Sequence, residues 1–314
     1  MSGRVPIDVL VIGGYLGAGK TTLVNHLLQA GTGRRTLVLV NDFGSIAVDD
    51  SLVESLDGGV LTLANGCVCC GMSSPLIDML VAVREQESPP ELVVVETSGV
   101  ADPAPVSRHA MIPGFRLDGV VVVADAETVR RRAADKLVGR SIERQLRAAD
   151  LLVLNKVDLV DGPSLAAARA FVAGGAPRAA IIEAVQARVP AAVVTGLAPA
   201  SGAGADRGSG SSDDAHDGSD HDTWSWRGGA LDRAAVVVFL EALPEGAVRA
   251  KGLLDLADSP GRATVLQSVG RRHTFTEGRP WGAEPAGSRL VVIGVAGSLD
   301  RDALDAAIAL AREA

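Results

Sequence analysis

The stretch that most constrains this chain is Gly14-Tyr15-Leu16-Gly17-Ala18-Gly19-Lys20-Thr21-Thr22. It follows the apolar run Val9-Leu10-Val11-Ile12 and precedes the helix-patterned Leu23-Val24-Asn25-His26-Leu27-Leu28. Two glycines flanking four residues, then Lys-Thr, with a strand before and a helix after, form a P-loop pattern in its confirming context. Glycine lets the backbone curl until successive N–H groups point at one anion, and the helix N-terminus adds its positive dipole end. Gly14, Gly17, Ala18, Gly19 and Thr22 are therefore expected around a triphosphate, with Lys20 on the outer phosphates. The Thr21 hydroxyl is the right length to complete the octahedron of a Mg2+ that bridges phosphate oxygens.

At 314 residues, 47% hydrophobic and 22% charged, the chain is globular and long enough for one large domain or two ordinary ones. A net charge of -8 argues against general nucleic-acid binding. No apolar run approaches the length of a membrane span, and the N-terminus enters the P-loop strand without a signal-peptide layout. A cytoplasmic protein is expected. The three cysteines, Cys67, Cys69 and Cys70, stand together with none elsewhere. In a reducing compartment that clustering points to metal binding or thiol chemistry, not to a disulfide framework.

Several continuous apolar runs read as strands covered on both faces, the mark of a doubly wound, mostly parallel sheet. Thr36–Val40 ends in Asn41-Asp42-Phe43-Gly44, and Asp42 is well placed to approach a phosphate-bound metal directly or through water; an Asp there also suits an ordinary turn. Glu91–Val95 ends in Glu96-Thr97-Ser98-Gly99, the layout of a metal and γ-phosphate sensor, with Glu where Asp is commoner. Val120–Asp125 is a further strand, and a helix is expected from about Pro75 to Arg84. Leu151–Leu154 ends in Asn155-Lys156-Val157-Asp158. In P-loop proteins this tetrapeptide reads guanine: the Asp158 carboxylate accepts from the ring N–H and exocyclic amine while Asn155 and Lys156 brace the ring. Adenine offers no such donor pair, and two charged hydrogen bonds at about 1.5 to 3 kcal/mol each discriminate by roughly a hundredfold or more. GTP is thus the expected nucleotide. Ala191–Thr195 reads as a last strand whose exit loop touches the base.

Composition changes abruptly over 200–222, which is Gly, Ser, Asp and Ala with almost no large apolar residue. This reads as a flexible linker at 201–222 between a domain at 1–200 and a second at 223–314. Its His216 and His221 lie among aspartates, a loose divalent-metal site or simply a solvated acidic linker. Beyond it, strands at Trp224–Trp226, Val248–Leu256, Ala263–Phe275 and Arg289–Val295, with helices at Leu231–Leu243 and Leu299–Arg312, predict a smaller α+β domain.

The P-loop, Asn-Asp-Phe-Gly, Asn65-Gly66-Cys67-Val68-Cys69-Cys70, Glu96-Thr97-Ser98-Gly99-Val100-Ala101-Asp102-Pro103 and Asn155-Lys156-Val157-Asp158, in that order, resemble the CobW family of GTPases, relatives of nickel-inserting GTPases. Pro244–Gly252 is similar to that family's C-terminal signature. The resemblance implies a GTPase with Mg-GTP as ligand, catalytic groups Lys20, Thr21, Asp42 and Glu96, and Zn2+ on Cys67, Cys69 and Cys70. It also implies a metallochaperone that hands its metal to a metal-requiring client protein. Three thiolates leave a tetrahedral Zn2+ one open position, which suits delivery. Cobalt or iron as the cargo, or a metal-free switch whose thiols sense oxidation, are the alternative readings. No Gln follows the Glu-Thr-Ser-Gly box, so slow intrinsic turnover is expected, accelerated by a partner or by homodimer formation.

Overall fold

The computed structural model describes residues 5–40, 60–62, 74–195, 221–281 and 285–311. Asp42, Cys67, Cys69, Cys70 and His216 lie outside the described residues, as does most of the glycine- and serine-rich stretch. The chain divides into two compact units, Met1–Val189 and Pro190–Ala314.

The first unit runs β1 (Ile7–Gly14), α1 (Lys20–Ala30), β2 (Thr36–Val40), β3 (Val60–Thr62), α2 (Ser74–Glu85), β4 (Leu92–Glu96), α3 (Pro103–His109), β5 (Phe115–Asp125) and α4 (Val129–Ala133). It continues with α5 (Gly139–Ala148), β6 (Leu151–Asn155), a short 3₁₀ turn (Val157–Leu159), α6 (Gly162–Gly175) and β7 (Ala180–Ala184). The seven strands form one parallel sheet in the order β3-β2-β4-β1-β5-β6-β7. Every residue of β1, β4 and β6 is buried, which is why these strands carry no polar alternation. Their core includes Val9, Val11, Val93, Val95, Val122, Leu152 and Leu154, packed against Leu76, Leu80, Val106, Ile142 and Leu146 from the helices.

The register decides what stands at the sheet's C-terminal edge. Ile12 pairs with Glu96, Gly14 with Val123, and Asn155 with both Asp125 and Ala184. The P-loop, Glu96, Asp125, Asn155 and the exit from β7 therefore share one edge. The order reverses about β1, where a doubly wound sheet opens its ligand crevice.

The last parallel strand is Ala180–Ala184, not Ala191–Thr195, which forms the short helix α7. An exposed Glu183 interrupts the true strand after two half-buried isoleucines, so the unbroken apolar run is longer in the helix that follows. α7 belongs to the second unit, where Lys251 Nζ donates to the Thr195 carbonyl at 2.9 Å.

That unit continues with β8 (His221–Gly228), α8 (Arg233–Glu241), β9 (Ala247–Asp255), β10 (Arg262–Val269), β11 (Arg272–Pro280), β12 (Ser288–Val295) and α9 (Arg301–Leu310). Its antiparallel sheet has the order β11-β10-β9-β12-β8. Trp224, Val236, Phe239, Leu290, Val292, Leu304 and Ile308 form its core. The expected single strand over Ala263–Phe275 is a hairpin, because Gly270, with φ of 54°, turns the chain between Val269 and Arg272. His221 opens β8 opposite Val295, and Asp222 accepts from the Leu299 N–H at 3.0 Å, so both belong to the sheet and not to the preceding stretch.

Candidate nucleotide site

The P-loop links β1 to α1. Gly19 sits at the N-cap of α1 with φ of 111°, a left-handed conformation that side chains avoid. A Cβ there would also strike the Asn155 amide, so the loop and the Asn155 box are packed to glycine contact. α3, α6, α8 and α9 each begin with an aspartate, Asp102, Asp161, Asp232 or Asp300, whose carboxylate accepts from a first-turn N–H. α1 has no side-chain cap and no acidic residue in its first turn. Its N-terminal N–H groups and dipole are left for an anion, and an Asp cap would repel one. Lys20 is buried behind the loop, its ammonium 3.5 Å from the Tyr15 carbonyl.

Thr21 Oγ1 donates to Glu96 Oε1 at 2.8 Å. The pair joins the start of α1 to the end of β4, and Glu96 is only 5% exposed. Beside it the Thr97 and Ser98 hydroxyls are buried with no hydrogen-bond partner among the described residues. Two oxygen donors converge here next to an anion seat, the chemistry a hard cation such as Mg2+ requires.

Both ends of the Asn155 amide are engaged by the protein. Its Nδ2 donates to the Ala18 carbonyl at 2.9 Å and its Oδ1 accepts from the Ala187 N–H at 2.7 Å. It therefore braces the P-loop against the β7 exit loop. Lys156 has φ of 62° and reaches back to Asp125 Oδ2 at 2.8 Å. The other oxygen of that buried carboxylate accepts from the Glu127 and Thr128 N–H groups. Asp158 lies exposed on the 3₁₀ turn. An open pocket of about 620 Å³ brings together Gly17, Gly19, Thr22, Lys156, Asp158 and Gln186. That volume is in the range of small-ligand sites.

Two contributors escape sequence reasoning. Asp125 ends an apolar strand at the P-loop edge, the same signal that marks Glu96, but no recognisable motif follows it. The loop Val185–Arg188 reaches the pocket, lining it with Gln186 and Arg188, because β7, not α7, precedes it; Gln186 and Ala187 both take φ of 52°. Among the described residues no group of three or more His, Cys, Asp or Glu side chains is placed to hold a metal, and no helix is long and apolar enough to cross a membrane.

A family model described as the CobW/HypB/UreG nucleotide-binding domain matches residues 8–182. The chain belongs to that family. A model of the cobalamin synthesis protein cobW C-terminal domain matches residues 222–312, so CobW-type sequence extends across both units. Among CobW-family relatives, a Sinorhizobium protein named zinc chaperone CobW is 34% identical over 98% of this chain and 97% of its own. A Pseudomonas aeruginosa protein of the same name is 33% identical over 92% and 87%. A solved structure of Zn(II)-bound YjiA GTPase from E. coli covers 98% of this chain and 100% of its own, at 23% identity and a TM-score of 0.43.

Proposed function

We propose that this CobW-family chain is a GTP-hydrolysing metal chaperone that binds zinc through Cys67, Cys69 and Cys70 and couples hydrolysis to transfer of the metal to a client protein. The observation that carries the nucleotide half is the pocket joining Gly17 and Gly19 of an uncapped P-loop helix to Lys156 and Asp158. The clustered thiols, and relatives named as zinc chaperones, support the metal half.

Lys20 and the α1 N–H groups bind the outer phosphates. Asp158 accepts the two guanine donors, which adenine would leave unmet. Asn155 and Lys156 hold the pocket walls in place through Ala18, Ala187 and Asp125. Thr21, Glu96 and Asp42 would hold Mg2+, and the all-oxygen pair of Thr21 and Glu96 fits it. When bound, that ion neutralises charge on the β- and γ-phosphate oxygens. Asp42 and the three cysteines all lie between β2 and α2 in sequence, so the phosphate end and the metal end act on one stretch of chain. Hydrolysis then changes how tightly the thiolates hold their cargo.

The test measures hydrolysis of GTP and ATP, and zinc content, in the full chain and in the Cys67→Ser/Cys69→Ser/Cys70→Ser variant. The expected result is a preference for GTP of roughly a hundredfold and zinc that disappears with the thiols. Equal use of both nucleotides, or zinc retained by the triple variant, overturns the reading.

A further inference from the structure

The turn after Glu96 is fastened from behind by one helix. Gln145 of α5 is 2% exposed, and its Nε2 donates to the Gly99 carbonyl at 3.1 Å and the Ala101 carbonyl at 2.9 Å. One turn earlier, Ser141 Oγ donates to the Val100 carbonyl at 3.0 Å. Residues 141 and 145 stand four apart on one helix face, so three successive carbonyls of the turn are held by one element. A buried primary amide that uses both hydrogens on main-chain carbonyls is a specific arrangement, since either bond lost leaves a buried acceptor unmet.

The turn so held faces the P-loop at contact distance. Any Cβ on Gly99 would lie 2.7 Å from the Leu16 nitrogen. Leu16 is itself gripped from outside: Arg132 Nη1 of α4 donates to its carbonyl at 2.6 Å, with the guanidinium 5.0 Å over the Tyr15 ring. The neighbouring α4 and α5 thus fix the two sides of this contact, α4 holding Leu16 of the P-loop and α5 holding Gly99 of the turn that follows Glu96. We infer that Gln145 is a positioning residue for γ-phosphate chemistry, setting the Glu96–Gly99 turn against the P-loop while touching no nucleotide itself.

This rests on the GTPase reading above, and the consequence is specific. GDP needs the P-loop and the base pocket but not the sensor turn. A displacement of about 1 Å in a group that positions reacting atoms costs on the order of a hundredfold in rate. Gln145→Met keeps the length and burial and removes both donors; Gln145→Glu sets a carboxylate against two carbonyls.

The experiment measures GDP affinity, affinity for a non-hydrolysable GTP analogue, and single-turnover GTP hydrolysis in the full chain. For both variants the expected result is GDP affinity close to wild type, weaker analogue binding, and hydrolysis slowed by roughly ten- to a hundredfold. Ser141→Ala removes one bond from a half-buried hydroxyl and should show the same pattern more weakly, which keeps the inference testable if a Gln145 variant fails to fold. Unchanged hydrolysis, or GDP and analogue affinity falling together, overturns the positioning role while leaving the GTPase reading intact. A wild-type chain that binds neither nucleotide overturns both.

Discussion

Both edges of the parallel sheet bury acids, and they use them differently. Where the strands begin, Asp8 is 5% exposed and lies between two guanidiniums, Arg34 Nη1 at 2.7 Å from one oxygen and Arg116 Nε at 2.7 Å from the other. Where the strands end, Glu96 accepts from the Thr21 hydroxyl, and Asp125 from a lysine and two backbone N–H groups. The first acid is matched by charges that staple β1 to β5 and to the chain entering β2. The acids at the second edge hold the P-loop helix and the residues that surround the proposed nucleotide pocket. Burial alone does not separate the two; the partners do.

The largest expected effect belongs to the staple. Asp8→Ala leaves two nearly buried guanidiniums without their acid and should cost about 3–5 kcal/mol of stability by denaturant unfolding. Hydrolysis per folded molecule should stay unchanged; a selective loss of turnover would erase the distinction between the edges. Glu96→Ala should do the reverse, slowing GTP hydrolysis by about 10²- to 10³-fold while moving the unfolding midpoint little. Asp158→Ala should cut the preference for GTP over ATP by roughly a hundredfold, measured as a ratio of kcat/KM values.

The smallest effect lies in the second unit, where an acid is paired in solvent. The hydrogen bond from Arg233 holds the Asp258 carboxyl below its usual value. A depressed value in the folded state contributes stability that is present above the ordinary carboxylate range and is lost as pH falls through the depressed value. Asp258→Asn should therefore lower the thermal midpoint slightly at neutral pH and not in acid, with salt weakening the difference. GTP turnover should not move.

Much of this was legible in the sequence because the signals were local. The P-loop, the acid ending β4 and the Asn155 box each sit where an apolar strand stops, and parallel register carries all three to one edge. What escaped depended on pairing. Glu183 breaks the apolar run of β7, so the uninterrupted run of α7 reads as the last strand, which hides the loop that lines the pocket. Gln145 looks like any polar residue on an amphipathic helix until the carbonyls of Gly99 and Ala101 are seen beneath it. The hairpin at Gly270 is hard to see in the sequence because both strands are rich in strand-forming residues and only the two-residue turn Gly270-Arg271 separates them. Nothing in the sequence signals that the polar atoms of Asn155 and Lys156 also hold Ala18, Ala187 and Asp125.

In the proposed function the phosphate edge controls a metal held by Cys67, Cys69 and Cys70. Equilibrium titration tests it most directly: Zn2+ affinity measured with GDP and with a non-hydrolysable GTP analogue, and analogue affinity measured with and without Zn2+. Linkage requires both couplings to have the same factor. Zn2+ affinity should differ between the two nucleotide states, and analogue affinity should shift reciprocally. Zn2+ and nucleotide affinities that are each indifferent to the other ligand would contradict it.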